Sequence, residues 1–318
     1  MGPDSKNTAR LYYERRIHRV MDYIAAHLDQ EMSLDELAGE AAFSPYHFHR
    51  LFTALTGESV GAYIRRLRLE RAASHLLVYP ERSVTETALR NGFASPAVFA
   101  RAFRDRFGIS ASAWRIARKD CKAMRKDGQA LGKDAIGLEG LPRYALPSWV
   151  PQRTSTETEN TVEVLIEDMP ALRAAYVRRL GPYRISACQA WEVLCRWAGP
   201  RGLLSRGHML FSISHDDPTV TAESKLRYDA CVAIDPDTKV DDQVGVVELP
   251  ARRAARVRYC GPGNGILGVY QSLYGDWLPE SGFVPADIPA IEIYYPEEGN
   301  APEKDHFVMD ICMPIIPA

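Results

Sequence analysis

The sequence predicts a multidomain protein: an all-α double helix-turn-helix domain over residues 8–119, followed by an α+β domain of two tandem βαββ modules over residues 161–318, with a linker at 120–160. Three observations carry this. Ser44-Pro45-x-x-Phe48-x-Arg50-x-Phe52-x-x-x-x-Gly57 returns 51 positions later as Ser95-Pro96-x-x-Phe99-x-Arg101-x-Phe103-x-x-x-x-Gly108. Pro170-Ala171-x-Arg173-Ala174-Ala175-x-Val177-Arg178-x-x-Gly181-Pro182 returns 80 positions later as Pro250 to Pro262. Between the two duplications stand Gly128, Gly132, Gly137, Gly140, Pro142, Pro147 and Pro151, a composition suited to a tether.

At 318 residues and 46% hydrophobic content the chain exceeds one comfortable core and has the composition of folded material. It has no run of about 18 apolar residues to span a bilayer, and Met1-Gly2-Pro3-Asp4-Ser5-Lys6 lacks the apolar stretch of a secretory signal. A soluble cytoplasmic protein with no membrane partner is expected. Six cysteines, Cys121, Cys188, Cys195, Cys231, Cys260 and Cys312, form no C-x-x-C pair, which argues against a disulfide framework and for reduced thiols mostly in cores. The formal net charge of −2 conceals a division: residues 1–119 carry 18 Lys and Arg against 13 Asp and Glu, and residues 160–318 carry 15 against 22. A basic front and an acidic back suggest different partners.

In the front domain, apolar residues at helical spacing predict helices over 8–27, 34–41, 45–56, 61–78, 84–91 and 95–107. In each repeated helix Ser supplies the N-cap, Pro suits the first turn, and Gly suits the left-handed residue that ends it. At 100° per residue, Phe48, Leu51, Phe52 and Leu55 share one face of the first copy, while Tyr46, His49, Arg50 and Thr53 share the other. The second copy keeps Phe99, Ala102 and Phe103 inward and presents Ala97, Ala100, Arg101 and Arg104. With Ser95 at its N-terminus, these outward polar residues are the expected contacts to double-stranded DNA. A connecting helix of about 17 residues sets the two copies roughly 25 Å apart, which with the helices' own widths fits two major-groove segments about 34 Å apart. Arg65, Arg66, Arg68 and Arg71 recur along that helix, where they either track phosphates or line a solvated face.

Gly92-Phe93-Ala94-Ser95, Phe99, Arg101-Ala102-Phe103-Arg104, Phe107-Gly108 and Trp114-Arg115 resemble the signature of the AraC/XylS family of bacterial transcription regulators. The resemblance implies a sequence-specific regulator acting at promoter DNA, with RNA polymerase as a further candidate partner. It implies base reading from Tyr46, His49 and Arg50 in the first helix, and from Pro96, Ala97 and Arg101 in the second. Pro96 and Ala97 cannot donate or accept a side-chain hydrogen bond. Base specificity is therefore expected mainly from the first helix, and phosphate grip from the second.

In the back domain the first copy reads as strands 162–168 and 173–180, helix 184–198, and strands 209–215 and 226–234. The second reads as strand 245–259, helix 265–278, and strands 290–295 and 306–314. Each βαββ module exposes one apolar sheet face, so pairing two copies is expected to bury that face and leave a ligand cleft at the junction. Alternation along Ile291-Glu292-Ile293-Tyr294 sets Glu292 and Tyr294 on one face. The matching position in the first copy is Ser212, so the acid departs from the internal symmetry. A lone acid in an apolar strand costs several kcal/mol if buried unpaired, which invites a cationic partner. Gly261-Pro262-Gly263-Asn264-Gly265 lacks the Lys-Ser/Thr of a phosphate loop and reads as a turn. His215-Asp216-Asp217 has no second cluster to complete a metal site and reads as a solvated loop. No catalytic residue, metal or cofactor is expected.

Gly181-Pro182-Tyr183, Leu226-Arg227-Tyr228-Asp229, Gly261-Pro262, Ile291-Glu292-Ile293-Tyr294 and Asp310-Ile311 make this half similar to the GyrI-like effector-binding domain. That resemblance implies a small, apolar, cationic effector paired with Glu292 in an aromatic-lined cleft, with Trp191, Tyr228, Tyr270, Tyr294 and Phe307 as its walls. It also leaves two alternatives open. One is a hydrolase of reactive small molecules using Glu292 with Tyr228 or Tyr294; the other is a module that inhibits a partner enzyme.

Overall fold

The computed structural model describes residues 3–116, 163–205, 207–218, 220–295 and 306–318, with side chains from residue 12 onward. The linker expected at 120–160 lies outside the described residues. The chain divides into two compact units, Arg16–Gln152 and the combination of Met1–Arg15 with Arg153–Ala318, so the unit boundary falls inside the first helix. No described helix is long and apolar enough to cross a membrane.

The expected helices all form: α1 (Pro3–Ala26), α2 (Leu34–Glu40), α3 (Pro45–Thr56), α4 (Val60–Val78), α5 (Val84–Arg90) and α6 (Pro96–Phe107). A further helix, α7, has residues 111–116 as its described part. Ser33, Ser44, Ser59, Ser83 and Ser95 each accept from the backbone N–H three residues on, and Ser110 does the same for Ala113. Each such cap is worth about 1 kcal/mol over alanine. Gly57 and Gly108 close α3 and α6 in the left-handed region, as their place in the repeat requires.

Phe48, Phe52, Phe99 and Phe103 are fully buried. The Phe52 ring meets Tyr63 of α4 at 5.2 Å, and Phe107 meets Trp114 at 4.9 Å. The Trp114 indole N–H donates to the Ala73 carbonyl, anchoring α7 to α4. The arginines of α4 are mostly neither phosphate-tracking nor solvated. Arg66 is buried between Glu58 and Glu70, at 2.8 and 3.0 Å, and Arg106 of α6 reaches the same Glu70 at 3.4 Å. Arg68 donates to the Leu28 and Gln30 carbonyls and Arg71 to the Asn91 side chain. Arg65 is exposed. The helical wheel shows which side these charges occupy but not the partners 8 to 40 residues away that remove them from solvent.

The back unit is one antiparallel sheet: β1 (Val164–Met169), β2 (Leu172–Leu180), β3 (Leu210–Ser214), β4 (Arg227–Ala233), β5 (Gly245–Leu249), β6 (Arg252–Gly261), β7 (Phe283–Pro285), β8 (Ile291–Tyr294) and β9 (Phe307–Pro317). Its order is β1-β6-β9-β8-β3-β4-β2-β5, with β7 added to the end of β9. This order is symmetric about the β8–β3 contact. The segment 245–259, expected as one strand, is two: the chain turns at Pro250-Ala251, β5 pairs with β2, and β6 pairs with β1 and β9. The modules thus exchange their first strands.

They also meet edge to edge through β3 and β8 rather than covering one another's apolar faces. Helix α8 (Tyr183–Ala198) supplies part of the cover, burying Ala190, Leu194 and Trp197 against Ala175, Val177, Ala230 and Val232. Helix α9 (Ile266–Ser272) covers the second module with Val269, and a π-helical turn over Leu273–Trp277 extends it. Gly263-Asn264-Gly265 forms a short 3-10 turn leading into α9, in keeping with its reading as a turn.

The two helix-turn-helix corners share one backbone device and differ in its cost. The Phe43 and Phe93 N–H groups close back on the Ala38 and Ala88 carbonyls, with Ala42 (φ 52°) and Gly92 (φ 75°) as the left-handed residues before them. Alanine in that region costs about 1 to 2 kcal/mol. The Ala42→Gly variant is therefore expected to raise the melting temperature of the front unit. In contrast, Gly92→Ala is expected to lose more than about 2 kcal/mol, because a Cβ there would lie 2.3 Å from the Leu28 oxygen and 2.8 Å from the Arg68 guanidinium. Calorimetric unfolding of the two variants checks both signs.

Candidate functional site

Alternation along β8 does what the sequence requires. Ile291 and Ile293 enter the core with Phe211 and Ile213, while Glu292 and Tyr294 face the other way, the side on which α8 and α9 pack. Glu292 is 6% exposed. In register it stands opposite Ser212 of β3, its own counterpart in the repeat. Ser212 Oγ donates to Glu292 Oε2 at 2.9 Å and Tyr294 Oη donates to the same oxygen at 3.0 Å. Tyr270 Oη, from α9, donates to Oε1 at 3.1 Å. The recorded hydrogen-bond partners of this carboxylate are thus all hydroxyls.

A second shell of contacts ties the cluster to the first module. The Trp191 indole N–H, from α8, donates to Tyr228 Oη at 2.9 Å, and Tyr228 Oη lies 3.3 Å from Tyr294 Oη. The Trp191 ring meets Tyr294 edge to face at 5.4 Å. Tyr183, outside the expected set of walls, packs at a tilt against Tyr228, with ring centroids 6.0 Å apart. Its Oη donates to the Asp216 carbonyl and accepts from the Asp216 N–H. The Gly-Pro-Tyr turn had already marked Tyr183 in the sequence. Glu292, Tyr294, Trp191, Tyr228 and Tyr270 are therefore brought together. Phe307 instead packs at the margin of the second module's core.

Burial pushes the Glu292 carboxyl above the usual carboxylate range, against the opposing pull of the three hydroxyls. Burial and the nearby Glu292 charge likewise push the phenols of Tyr228 and Tyr270 up. Tyr294 moves the same way through burial, then Tyr228 and Glu292. These phenols stay protonated as hydrogen-bond donors, and among the described residues the hydrogen-bond donors to the Glu292 carboxylate are neutral hydroxyls.

The loop expected to be solvated at His215-Asp216-Asp217 is instead part of a brace. His215 and Arg178 converge on Asp229, at 2.7 and 2.6 Å, and Asp216 pairs with Arg227 at 2.7 Å. These partners are remote in sequence, which is why the loop reads as polar surface. Among the described residues no group of His, Cys, Asp and Glu could hold a metal ion. Cys231 and Cys312 are buried, but Cys188, Cys195 and Cys260 are exposed, so cores do not hold most of the described thiols; Cys121 lies outside the described residues.

On the front unit, Tyr46, His49 and Arg50 are exposed on α3, and the Arg50 guanidinium lies over the Tyr46 ring, 4.7 Å from its centroid. Thr53, expected on the same outward face, is half-buried and its hydroxyl is covered without a hydrogen-bond partner. The wheel places Thr53 at the margin of the polar face, where the core reaches it. On α6, Arg101 and Arg104 are exposed with Ala97 and Ala100, and Ser95 is occupied as the N-cap, accepting from the Val98 N–H. Val98, not singled out in the sequence, is 55% exposed beside Ala97. Exposed aliphatic groups at a helix N-terminus are what a thymine methyl would contact.

Residues 163–316 match the GyrI-like small molecule binding domain, and residues 37–117 match a helix-turn-helix domain. The uncharacterized HTH-type transcriptional regulator YbfP of Bacillus subtilis is 34% identical over 109 residues, 34% of this chain and 37% of that protein. The right origin-binding protein of Escherichia coli is 36% identical over 99 residues, 31% of this chain and 34% of that protein. The chain thus spans about a third of the length of each of these relatives. The transposon Tn10 TetD protein of Escherichia coli is 34% identical over 115 residues, which cover 34% of this chain and 83% of TetD. With both halves matched in this order, the chain belongs to the AraC/XylS family of transcription regulators and carries a GyrI-like small-molecule-binding domain at its carboxyl end.

Proposed function

We propose that the protein is a sequence-specific DNA-binding transcription regulator whose carboxy-terminal half binds a small, apolar, cationic effector against Glu292. The observation that carries the effector class is the buried Glu292 carboxylate, held by three hydroxyls with no cation among its hydrogen-bond partners. An ionised carboxylate in this state costs several kcal/mol, and a bound cation offsets that cost. The half-buried rings of Trp191, Tyr270 and Tyr294 add apolar area and cation–π attraction. The DNA reading rests on exposed Tyr46, His49 and Arg50 on α3 and Arg101 and Arg104 on α6, two capped helices joined by the 19-residue α4. A regulator of promoters works in the cytoplasm, and RNA polymerase is its natural further partner.

The raised pKa of Glu292 fixes the sign of the pH dependence. The folded protein holds this proton more tightly than the unfolded chain, so ionised Glu292 lowers stability above its native pKa and has no effect below the unfolded value. A permanent cation needs the ionised form. Its affinity should fall by about tenfold per pH unit below the native pKa and level off above it, with both the affinity and the slope lost in Glu292→Gln. Calorimetric titration over pH measures this. A flat profile in the wild-type protein would remove Glu292 as the anchor, and turnover of a reactive ligand in place of reversible binding would make the domain a hydrolase.

For DNA, Arg50→Ala should cost about 1 to 3 kcal/mol of discrimination between the operator and a mismatched site. Arg101→Ala and Arg104→Ala should weaken all sequences alike and lower the salt slope by about one each. Fluorescence anisotropy over a salt series separates the two. Equal loss of discrimination from Arg50→Ala and Arg101→Ala would show the division between the helices to be wrong.

A further inference from the structure

Helices α3 and α6 are copies at an offset of 51, so their exposed side chains correspond position by position. Arg50 of α3 is kept as Arg101 of α6, and both are exposed. The other exposed side chains on this part of α3, Tyr46, His47 and His49, become Ala97, Val98 and Ala100, which are exposed as well. Each replacement removes every side-chain donor and acceptor from its position. Ser95 is spent as the cap, its Oγ accepting from the Val98 N–H at 3.3 Å.

A single exposed aliphatic side chain is ordinary on a protein surface. The surroundings of Val98, which is 55% exposed, limit what can cover it. Arg101 lies one turn further along α6 and Arg104 a turn beyond that, both exposed, so the occupant carries negative charge. The exposed acid of the helix, Asp105, lies two turns beyond Val98 in line with it. A recognition helix that enters the major groove by its first turns holds such an acid back from the bases. Among the base edges in that groove, the C5 methyl of thymine is the one apolar group.

We infer that Val98 is a specificity-determining residue that reads a thymine methyl group, so that α6 adds a preference for T·A while Arg101 and Arg104 hold the backbone. This rests on the proposed entry of α6 into a major groove, and it names the form of base reading that the exposed surface of the helix allows. Covering one methyl group removes enough apolar surface from water to change affinity about fourfold.

The test begins with the full chain selecting duplexes from a random-sequence pool. Each thymine of the selected site is then replaced in turn by uracil, which keeps the base pair and loses only the methyl group. Fluorescence anisotropy at constant salt compares the wild type with Val98→Ala, whose melting temperature should match because the side chain is open to solvent. The wild type should bind about fourfold more weakly when uracil replaces the thymine that Val98 covers. Val98→Ala should bind thymine and uracil equally there and keep the wild-type response at every other position. A scan in which no uracil position depends on Val98 would overturn the methyl contact and leave DNA recognition standing. Failure of the wild type to enrich any sequence would overturn DNA recognition and the methyl contact together.

Discussion

The antiparallel pairing of β3 with β8 is the contact on which the carboxy-terminal half depends. It lies on the axis of the internal duplication, and the residue on that axis faces its own counterpart: Ser212 stands opposite Glu292. Residues paired this way have Cα atoms about 5 Å apart. Two glutamates would set like charges side by side in a buried place, and one would have to hold its proton. The axis therefore permits a single acid. It also dictates that the other copy supply a small hydroxyl, which Ser212 does by donating to Oε2. The asymmetry of the site follows from the symmetry of the fold.

Other features of this unit serve that contact. Because β1 pairs with β6 and β5 pairs with β2, each module's sheet is completed by a strand preceding the other's. A module taken alone would expose the edge its partner strand covers, so the two form together and the register at β3–β8 is held from both sides. Helix α8 is regular for 16 residues, whereas the matching segment of the second module is broken into a 3-10 turn, α9 and a π turn. Glycines at 263, 265, 268 and 275 weaken a regular helix there. Tyr270 lies in this irregular stretch, and π turns recur at functional sites.

Much of this was legible in the chain, and what was not has identifiable reasons. The 51-residue and 80-residue repeats fixed the element order, and the alternation from Ile291 to Tyr294 gave the correct face for Glu292. The break of 245–259 at Pro250 has a cause visible in the chain, since proline removes a ladder donor and Pro170 marks the same corner in the first copy. The edge-to-edge joining of the modules was not recoverable, because period-two alternation describes which side is apolar and is silent on what covers it. Arg66, Arg68 and His215 depart from what their local sequence suggests for one shared reason. A polar residue in a local window looks solvated until its partners in other elements, Glu58, Leu28 and Asp229, close over it.

The buried ion pairs of the front unit bear on geometry more than on stability. Taking charges out of water is costly, and such pairs often contribute little net stabilisation compared with apolar residues of the same volume. Their directional bonds, however, fix how elements sit. Glu70 accepts from Arg66 on its own helix and from Arg106 on α6, while Arg66 also holds Glu58 at the end of α3. One connected set of side chains therefore joins the end of α3, the connecting helix α4 and α6. A rod of 19 residues sets their separation at about 28 Å, and this network sets the rotation about it. Separation and rotation together fix how the exposed Arg50 of α3 stands relative to the exposed Arg101 and Arg104 of α6. The charges of α4 that resemble a DNA-binding stripe thus act within the unit, by orienting α3 and α6 about α4.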